Sequence, residues 1–362
     1  MIKLNIVGSA LVGTSGYSVH TKNLFKALAE EITDIHLDVP RPPGWELQVT
    51  DQELKCMNTP RFNDGITLMI AMPQFWAAAL VEPSNKFIGF AVWEGNKVPQ
   101  HWKKPLQDVD AIAVPSIHTR DAILNTFPEL KTPITIIPHG VDSSLFTVQD
   151  SPKKEGTPFV FSANKGFAKG INDRGGVQYL LKAFSEEFSA EENVQLRLKI
   201  NAAYCPPGWN LQQELEKLQL DKDRPQIHIS TDSVPYRLIP QFYQGTNCFI
   251  SPSMGEAFSI PCLEAMSMNL PVITTNYSGP LDYLDETCAW LIDYDMVEVT
   301  WDQEYEGISW ARPRVKHLRE LMRYAFENPE ECKSKGTAGR LIAEKWSWES
   351  SAKKLIDFVT SI

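Results

Sequence analysis

Ser251-Pro252-Ser253-Met254-Gly255-Glu256-Ala257-Phe258-Ser259-Ile260-Pro261-Cys262-Leu263-Glu264-Ala265-Met266 is the stretch that decides the fold. A strand ends near Ser251 and the loop after it carries Glu256. Pro261 stands where a helix can begin, because proline suits the first helical turn. Glu264 lies about one turn further in. From Ala257 to Ile260 the loop exposes backbone N–H groups beside that helix N-terminus, a ready site for anions and hydroxyls. Two carboxylates therefore border one crevice at the carboxyl end of a strand, where α/β folds bind ligands. They do not suit glycoside hydrolysis. Seven residues of partly helical chain separate them, whereas the acid and nucleophile of a retaining hydrolase stand about 5–5.5 Å apart. Two readings remain: carboxylates that accept hydrogen bonds from sugar and ribose hydroxyls, or two ordinary surface glutamates on a helix.

Outward from this stretch, strand-like and helix-like segments alternate. Expected strands in the first half are Ile2–Val7, His36–Val39, Ile66–Ala71, Phe87–Val92, Ala111–Val114 and Thr135–Ile137. Leu24, Ala27, Leu28 and Ile32 fall at helical spacing after the first strand, and Ser116 is placed to cap a helix reaching Phe127. The polar run Val148-Gln149-Asp150-Ser151-Pro152-Lys153-Lys154-Glu155-Gly156 interrupts the pattern and marks a domain boundary. Alternation then restarts, with strands at Phe159–Ser162, Gln195–Ile200, Ile227–Ser230, Cys248–Ser251, Pro271–Thr274 and Ala289–Ile292, and a helix at Val177–Glu187. Helices are expected over Ala311–Glu327, from Glu330 to about Lys345, and from Trp346 through Phe358. The apolar stripe of the last must bury against something. Such alternation implies parallel βαβ units, and two runs of similar length imply two Rossmann-like domains.

The 362 residues suit two domains, and 43% hydrophobic with 22% charged residues is a globular profile. A formal net charge of −10 argues against nucleic acid as a partner, which needs a basic surface. The first apolar run is too short for a signal peptide. No apolar stretch reaches the roughly 18 residues of a membrane span, which leaves only peripheral association with a membrane open. Cys56, Cys205, Cys248, Cys262, Cys288 and Cys332 are scattered with no C-x-x-C pair, so a reduced, cytoplasmic setting is expected. His20, His36, His101, His118, His228 and His317 form no ligand-spaced cluster, and no metal site is expected.

Two other loops carry charge or glycine. Gly8-Ser9-Ala10-Leu11-Val12-Gly13-Thr14-Ser15-Gly16-Tyr17 joins the first strand to the first helix, as a plain tight turn or a nucleotide-binding loop. Lys165, Lys169 and Arg174, with four glycines among Phe161–Gly176, precede the helix that reaches Leu181. That loop is either solvated or built for anions.

Together these residues resemble the family-four retaining glycosyltransferases of GT-B fold (glycosyl transferases group 1). That family's signature has two glutamates with seven residues between them, in Pro-Ser-x-x-Glu-Gly-Phe-Gly-Leu-Pro-x-x-Glu-Ala-Met-Ala-x-Gly-x-Pro-Val-Ile. The match falls on Pro252, Ser253, Glu256, Phe258, Pro261, Glu264, Ala265, Met266, Pro271, Val272 and Ile273. Ala257, Ser259 and Asn269 stand where the family favours glycine. Pro138-His139-Gly140-Val141-Asp142-Ser143-Ser144-Leu145-Phe146 also resembles the segment before the family's interdomain linker, with His139 read as a boundary-loop residue bonding backbone.

The resemblance implies an α/β, GT-B architecture: two Rossmann-like domains facing a central cleft, with the C-terminal helix packed back on the first. Domain one is then 1–150 plus 346–362, and domain two is 151–345. It implies a nucleotide-diphosphate-sugar donor, a glycan, lipid or small-molecule acceptor, retention of configuration, and neither cofactor nor metal. Glu256 would bond hydroxyls of the transferred sugar and Glu264 the ribose, with backbone amides of Phe258, Ser259 and Ile260 in support. Lys165 and Arg174 would neutralise the diphosphate, with Lys169 a rival to either. Gly13 and Gly16 would let backbone amides approach the diphosphate from domain one. After Phe87–Val92 many relatives carry a histidine facing the reacting carbon. Here Trp93-Glu94-Gly95 follows, so Glu94 is the candidate for that role, or else caps a turn. Trp93 is either a wall for a sugar ring or core. The rivals are a sugar-nucleotide epimerase or hydrolase of the same fold, and a non-catalytic sugar-nucleotide binder.

Overall fold

The computed structural model describes residues 2–148, 156–201 and 205–362. Most of the polar boundary run, residues 149–155, lies outside them. The chain divides into two compact units, Met1–Asp142 with Trp346–Ile362, and Ser143–Lys345. Phe146 thus counts with the second unit, where its ring lies 5.6 Å from that of Tyr236.

The first unit threads β1 (Lys3–Val7), α1 (Gly16–Glu31), β2 (Asp34–Asp38), α2 (Asp51–Asn58), β3 (Ile66–Ile70), α3 (Ala77–Leu80), β4 (Lys86–Phe90), α4 (Lys103–Gln107), β5 (Ala111–Val114), α5 (Ile117–Thr126) and β6 (Ile134–Ile136). Its six strands are parallel, in the order β2-β1-β3-β4-β5-β6. Strands of this kind are covered on both faces and read as continuous apolar runs; all four residues of β5 are buried. Ser116 caps α5 as expected, accepting from the Thr119 N–H. No element is expected between Arg41 and Asn63, yet α2 forms there behind a capping box of Thr50 and Glu53.

The second unit runs β7 (Phe159–Lys165), α6 (Val177–Glu187), β8 (Val194–Ile200), α7 (Leu211–Lys217), β9 (Ile227–Ser230), α8 (Ile239–Tyr243), β10 (Cys248–Ser251), α9 (Ile260–Ser267), β11 (Val272–Thr275) and β12 (Ala289–Ile292). A hairpin of β13 (Tyr294–Glu298) and β14 (Ser309–Pro313) follows, then α10 (Val315–Glu327) and α11 (Pro329–Ala343). The main sheet is again parallel, in the order β12-β11-β10-β7-β8-β9. That is the doubly wound order, in which the strand order reverses between β7 and β10 while the strands stay parallel, and ligands bind outside the carboxyl ends of strands at such a reversal.

Residues 311–313, expected in a helix with 314–327, belong instead to β14. Pro313 and Arg314 end the strand before α10 can start, and the burial of Trp310, Ala311 and Pro313 ties the strand to the core.

The last helix, α12 (Trp348–Ser361), belongs to the first unit and packs on α1. Ser347 caps it, and Trp348, Ala352, Leu355 and Val359 are buried. Beside it the rings of His20 and His139 lie 4.4 Å apart, with Phe90 4.3 Å from His20 and Trp348 5.9 Å from His139. His139 is therefore a core residue of this unit. Burial pushes the His139 imidazole down to about 3. His20 is driven well below its usual value by burial and then by His139. Both are held neutral, while the unfolded chain takes up their protons as pH falls below about 6.5. Stability is therefore full above that value and declines beneath it, by about 2 kcal/mol from His139 alone at pH 5. Urea midpoints at pH 7 and pH 5 for wild type and His139→Gln check this. The variant is expected to lose less stability on acidification; an equal loss would show that His139 does not titrate in this window.

Candidate active site of the second unit

The motif glutamates stand in opposite electrostatic settings. Lys165 ends β7 with its side chain 4% exposed, and its Nζ donates to Glu256 Oε1 at 2.9 Å and to Ser259 Oγ at 3.3 Å. Arg174 Nη1 lies 3.5 Å from Glu256 Oε2 and donates to the Gly255 carbonyl. Ser253 Oγ donates to Glu256 Oε1 at 2.7 Å, and the Glu256 N–H donates to Ser278 Oγ at 2.9 Å. Burial pushes the Glu256 carboxyl up, but Lys165 and Arg174 outweigh it and hold the group at about 2. One carboxylate, ionised at neutral pH, and two basic side chains therefore converge at the β7/β10 reversal.

Glu264, on α9, is 2% exposed. Tyr236 Oη donates to its Oε1 and Tyr243 Oη to its Oε2, each at 2.7 Å. Burial pushes its carboxyl up to about 6 against the pull of both phenols.

The loop between these glutamates is pinned by backbone contacts. Tyr283 Oη lies 3.0 Å from the Phe258 carbonyl and 2.7 Å from the Ser259 carbonyl, on which it donates. Ser259 caps α9 with φ of +68, and Ile260 is its first residue. Met254 N–H donates to the Arg174 carbonyl at 2.8 Å and Ala311 N–H to the Met254 carbonyl at 2.7 Å. β14 is thus stitched to the motif loop. Asp173, given no role from sequence, shapes the cationic loop: its carboxylate accepts the N–H groups of Lys169 and Gly175 at 3.0 and 2.7 Å. Lys169 points elsewhere, pairing with Asp302 and lying 5.8 Å from the Tyr305 ring. The hairpin holds both partners, and no expectation covers it.

In the first unit, Gly13 lies where a Cβ would overlap Ser18 Oγ, whereas a Cβ at Gly16, the first residue of α1, meets nothing within 4 Å. Trp93 is core: it is 1% exposed and its ring lies 4.9 Å from Trp102. Glu94 is half-buried. Its carbonyl accepts from His118 Nε2 at 3.0 Å, a neighbour that sequence spacing does not reveal because α5 delivers it. Among the described residues no group of three His, Cys, Asp or Glu side chains could hold a metal ion, and no helix is long and apolar enough to cross a membrane.

Residues 149–342 match the family described as glycosyl transferases group 1. The chain belongs to that family. As a group 1 glycosyltransferase it has the α/β, GT-B fold class, with two six-stranded parallel sheets. Similar curated proteins include the sucrose synthase of Acidithiobacillus caldus, 29% identical over 122 residues, which cover 33% of this chain and 13% of that one. Another is the α-maltose-1-phosphate synthase of Mycolicibacterium smegmatis, 22% identical over 308 residues, 82% of this chain and 75% of that one. Among solved structures, Anabaena HepE in complex with UDP-glucose superposes with a TM-score of 0.70 at 11% identity, covering 100% of both chains. The departures of this group 1 glycosyltransferase from the family's glycines have a backbone meaning at two positions. Ser259 and Asn269 both adopt positive φ, +68 and +60, which costs a non-glycine residue about 1–2 kcal/mol.

Proposed function

We propose that this chain is a retaining hexosyltransferase that uses a nucleotide-diphosphate sugar and needs no metal. The observation that carries this is the convergence of Lys165 and Arg174 on Glu256 at the reversal point of the second sheet. Nucleoside-diphosphate departure develops negative charge, and cations already fixed in place stabilise it without reorganisation. Glu256, held ionised, accepts hydrogen bonds from hydroxyls of the transferred sugar, and the loop Phe258–Ile260 lies beside it. Glu264 takes the ribose. Gly13 and Gly16 serve as diphosphate contacts of the first unit. The donor phosphate takes the proton of the acceptor hydroxyl as the new bond forms on the face the diphosphate leaves. Lys169, engaged by Asp302, is the outlying cation of the loop. The complex of HepE with UDP-glucose supports a nucleotide-sugar donor, and the names of the two curated relatives, a sucrose synthase and an α-maltose-1-phosphate synthase, support a sugar product.

A panel of nucleotide sugars, each with and without candidate acceptors, tests the reading. Acceptor-dependent release of nucleoside diphosphate is expected from one donor. Release without acceptor would mean hydrolysis or epimerisation, and binding without release a silent binder. The same assay in excess EDTA should retain full activity; loss of activity restored by magnesium or manganese would overturn metal independence.

Glu94 is proposed to stabilise positive charge on the anomeric carbon. Glu94→Gln preserves size and removes charge, so kcat should fall at least roughly tenfold with nucleoside-diphosphate affinity unchanged. Wild-type turnover would assign the role elsewhere.

A further inference from the structure

We infer that Tyr236 and Tyr243 are positioning residues that fix the orientation of the Glu264 carboxylate for a vicinal diol, one phenol on each oxygen. The inference rests on the nucleotide-sugar reading above and says how the ribose is recognised. Both tyrosines come from one short piece of chain: Tyr236 opens the turn before α8 and Tyr243 ends α8. Each oxygen of Glu264 receives one phenol. A carboxylate oxygen accepts about two hydrogen bonds, so one acceptor direction remains on each oxygen. Two remaining acceptors side by side match two adjacent hydroxyl donors.

The contrast with Glu256 is informative. That carboxylate is held by two cations, whereas among the described residues no cation pairs with Glu264. Among the described residues, the titratable groups that act on it are Tyr236 and Tyr243 from the α8 segment, and Cys262 on its own helix acts on Tyr243. A buried carboxylate without a cation tends to take up a proton, and a protonated one loses acceptor capacity. Phenol donors favour the ionised form without introducing a charge that would compete with neutral hydroxyls. Tyr243 is fully buried, and the Tyr236 ring packs against Phe146, which fixes the directions of both bonds.

The test uses the full chain and whichever of UDP, GDP and ADP binds tightest by calorimetry. Affinity is measured from pH 5.5 to 8.5 for wild type, Tyr236→Phe, Tyr243→Phe and Glu264→Gln. Removing either phenol removes a bond to the anion, so the pH below which affinity falls should rise by about one unit, with affinity at pH 8.5 reduced less than at pH 6. Titration of the diphosphate is common to all four proteins and cancels. Glu264→Gln should bind weakly and without the Glu264-dependent decline. In wild type, the 2′-deoxy and 3′-deoxy analogues should each bind about tenfold or more weaker, which needs no variant to fold. A uniform loss across pH in both tyrosine variants would reduce them to packing residues and overturn the inference. So would indifference to either deoxy substitution while Glu264→Gln still weakens binding. If wild type binds none of the three nucleotides, the nucleotide-sugar reading itself falls.

Discussion

Glu256→Gln should lower kcat by about two to three orders of magnitude, the cost of about 3–4 kcal/mol typical of losing a preorganised electrostatic contact, while nucleoside-diphosphate affinity stays within a few-fold. Glu264→Gln should do the reverse, weakening diphosphate binding with a smaller effect at saturation. The difference follows from what each carboxylate touches. Glu256 is gripped by Lys165, Arg174 and Ser253 at the reversal point, so its charge counts where the sugar reacts. Among the described residues, Glu264 is gripped only by phenols. Glutamine is preferred to alanine because it leaves an acceptor for Lys165, whose side chain is 4% exposed; removing that partner altogether would strand a buried cation. Because Lys165 and Arg174 hold Glu256 at about 2, its contribution to stability is full above its unfolded value of about 4.5 and is lost only as pH falls toward 2. No acid limb of activity near neutrality should therefore trace to Glu256. Calorimetry and initial rates on both variants check the split, and equal behaviour of the two would contradict it.

Gly176→Ala should be among the most destabilising single substitutions in the second unit, at about 2–5 kcal/mol. Gly176 caps α6 with φ of +75, and a Cβ there would overlap the Pro252 carbonyl. The left-handed conformation costs alanine about 1–2 kcal/mol, and overlap with rigid backbone about 1–3 more. Pro252 opens the loop that carries Glu256, so turnover should fall with stability. Gly16→Ala is the contrasting case. Its Cβ meets nothing, so stability should change by less than about 1 kcal/mol, while diphosphate affinity drops if a ligand approaches this turn closely. Denaturant midpoints and nucleotide titrations on both variants separate a glycine needed by the fold from one needed by a ligand. A stable, active Gly176→Ala would contradict the geometry.

Much of this fold is legible because parallel strands are covered on both faces and leave uninterrupted apolar runs. Ala111–Val114, Cys248–Ser251 and Ala289–Ile292 are strands over the bounds their sequence suggests, as is the edge strand Ile227–Ser230, which instead alternates half-buried and exposed residues. The hairpin is not legible in that way. Tyr294–Glu298 mixes exposed and half-buried residues, and β14 is followed at once by an amphipathic helix whose pattern reads backward into it. Gly307, at φ of +71, and the Pro313 stop were the available signals. In the site, the motif around Glu256 and Glu264 singled out both glutamates through its resemblance to the family signature, while their spacing alone left two surface glutamates as an equal reading. The phenol partners of Glu264, Tyr236 and Tyr243, depend on how distant segments are brought together by the sheet order, whereas Ser253 bonds Glu256 from within the same loop and Asp173 holds the N–H groups of Lys169 and Gly175. That information resides in tertiary packing rather than in any local period. Lys165 and Lys169 look alike in sequence; the strand end of β7 buries one, and Asp302 of the hairpin claims the other.

The measurement that bears most directly on the central proposal is the anomeric configuration of the first-formed product. With the donor found in the panel and its acceptor, proton NMR of the newly formed glycosidic linkage, which is locked against mutarotation, should show the same anomeric configuration as the donor sugar. A product of inverted configuration would contradict the account, because it would require a base on the face opposite the departing diphosphate.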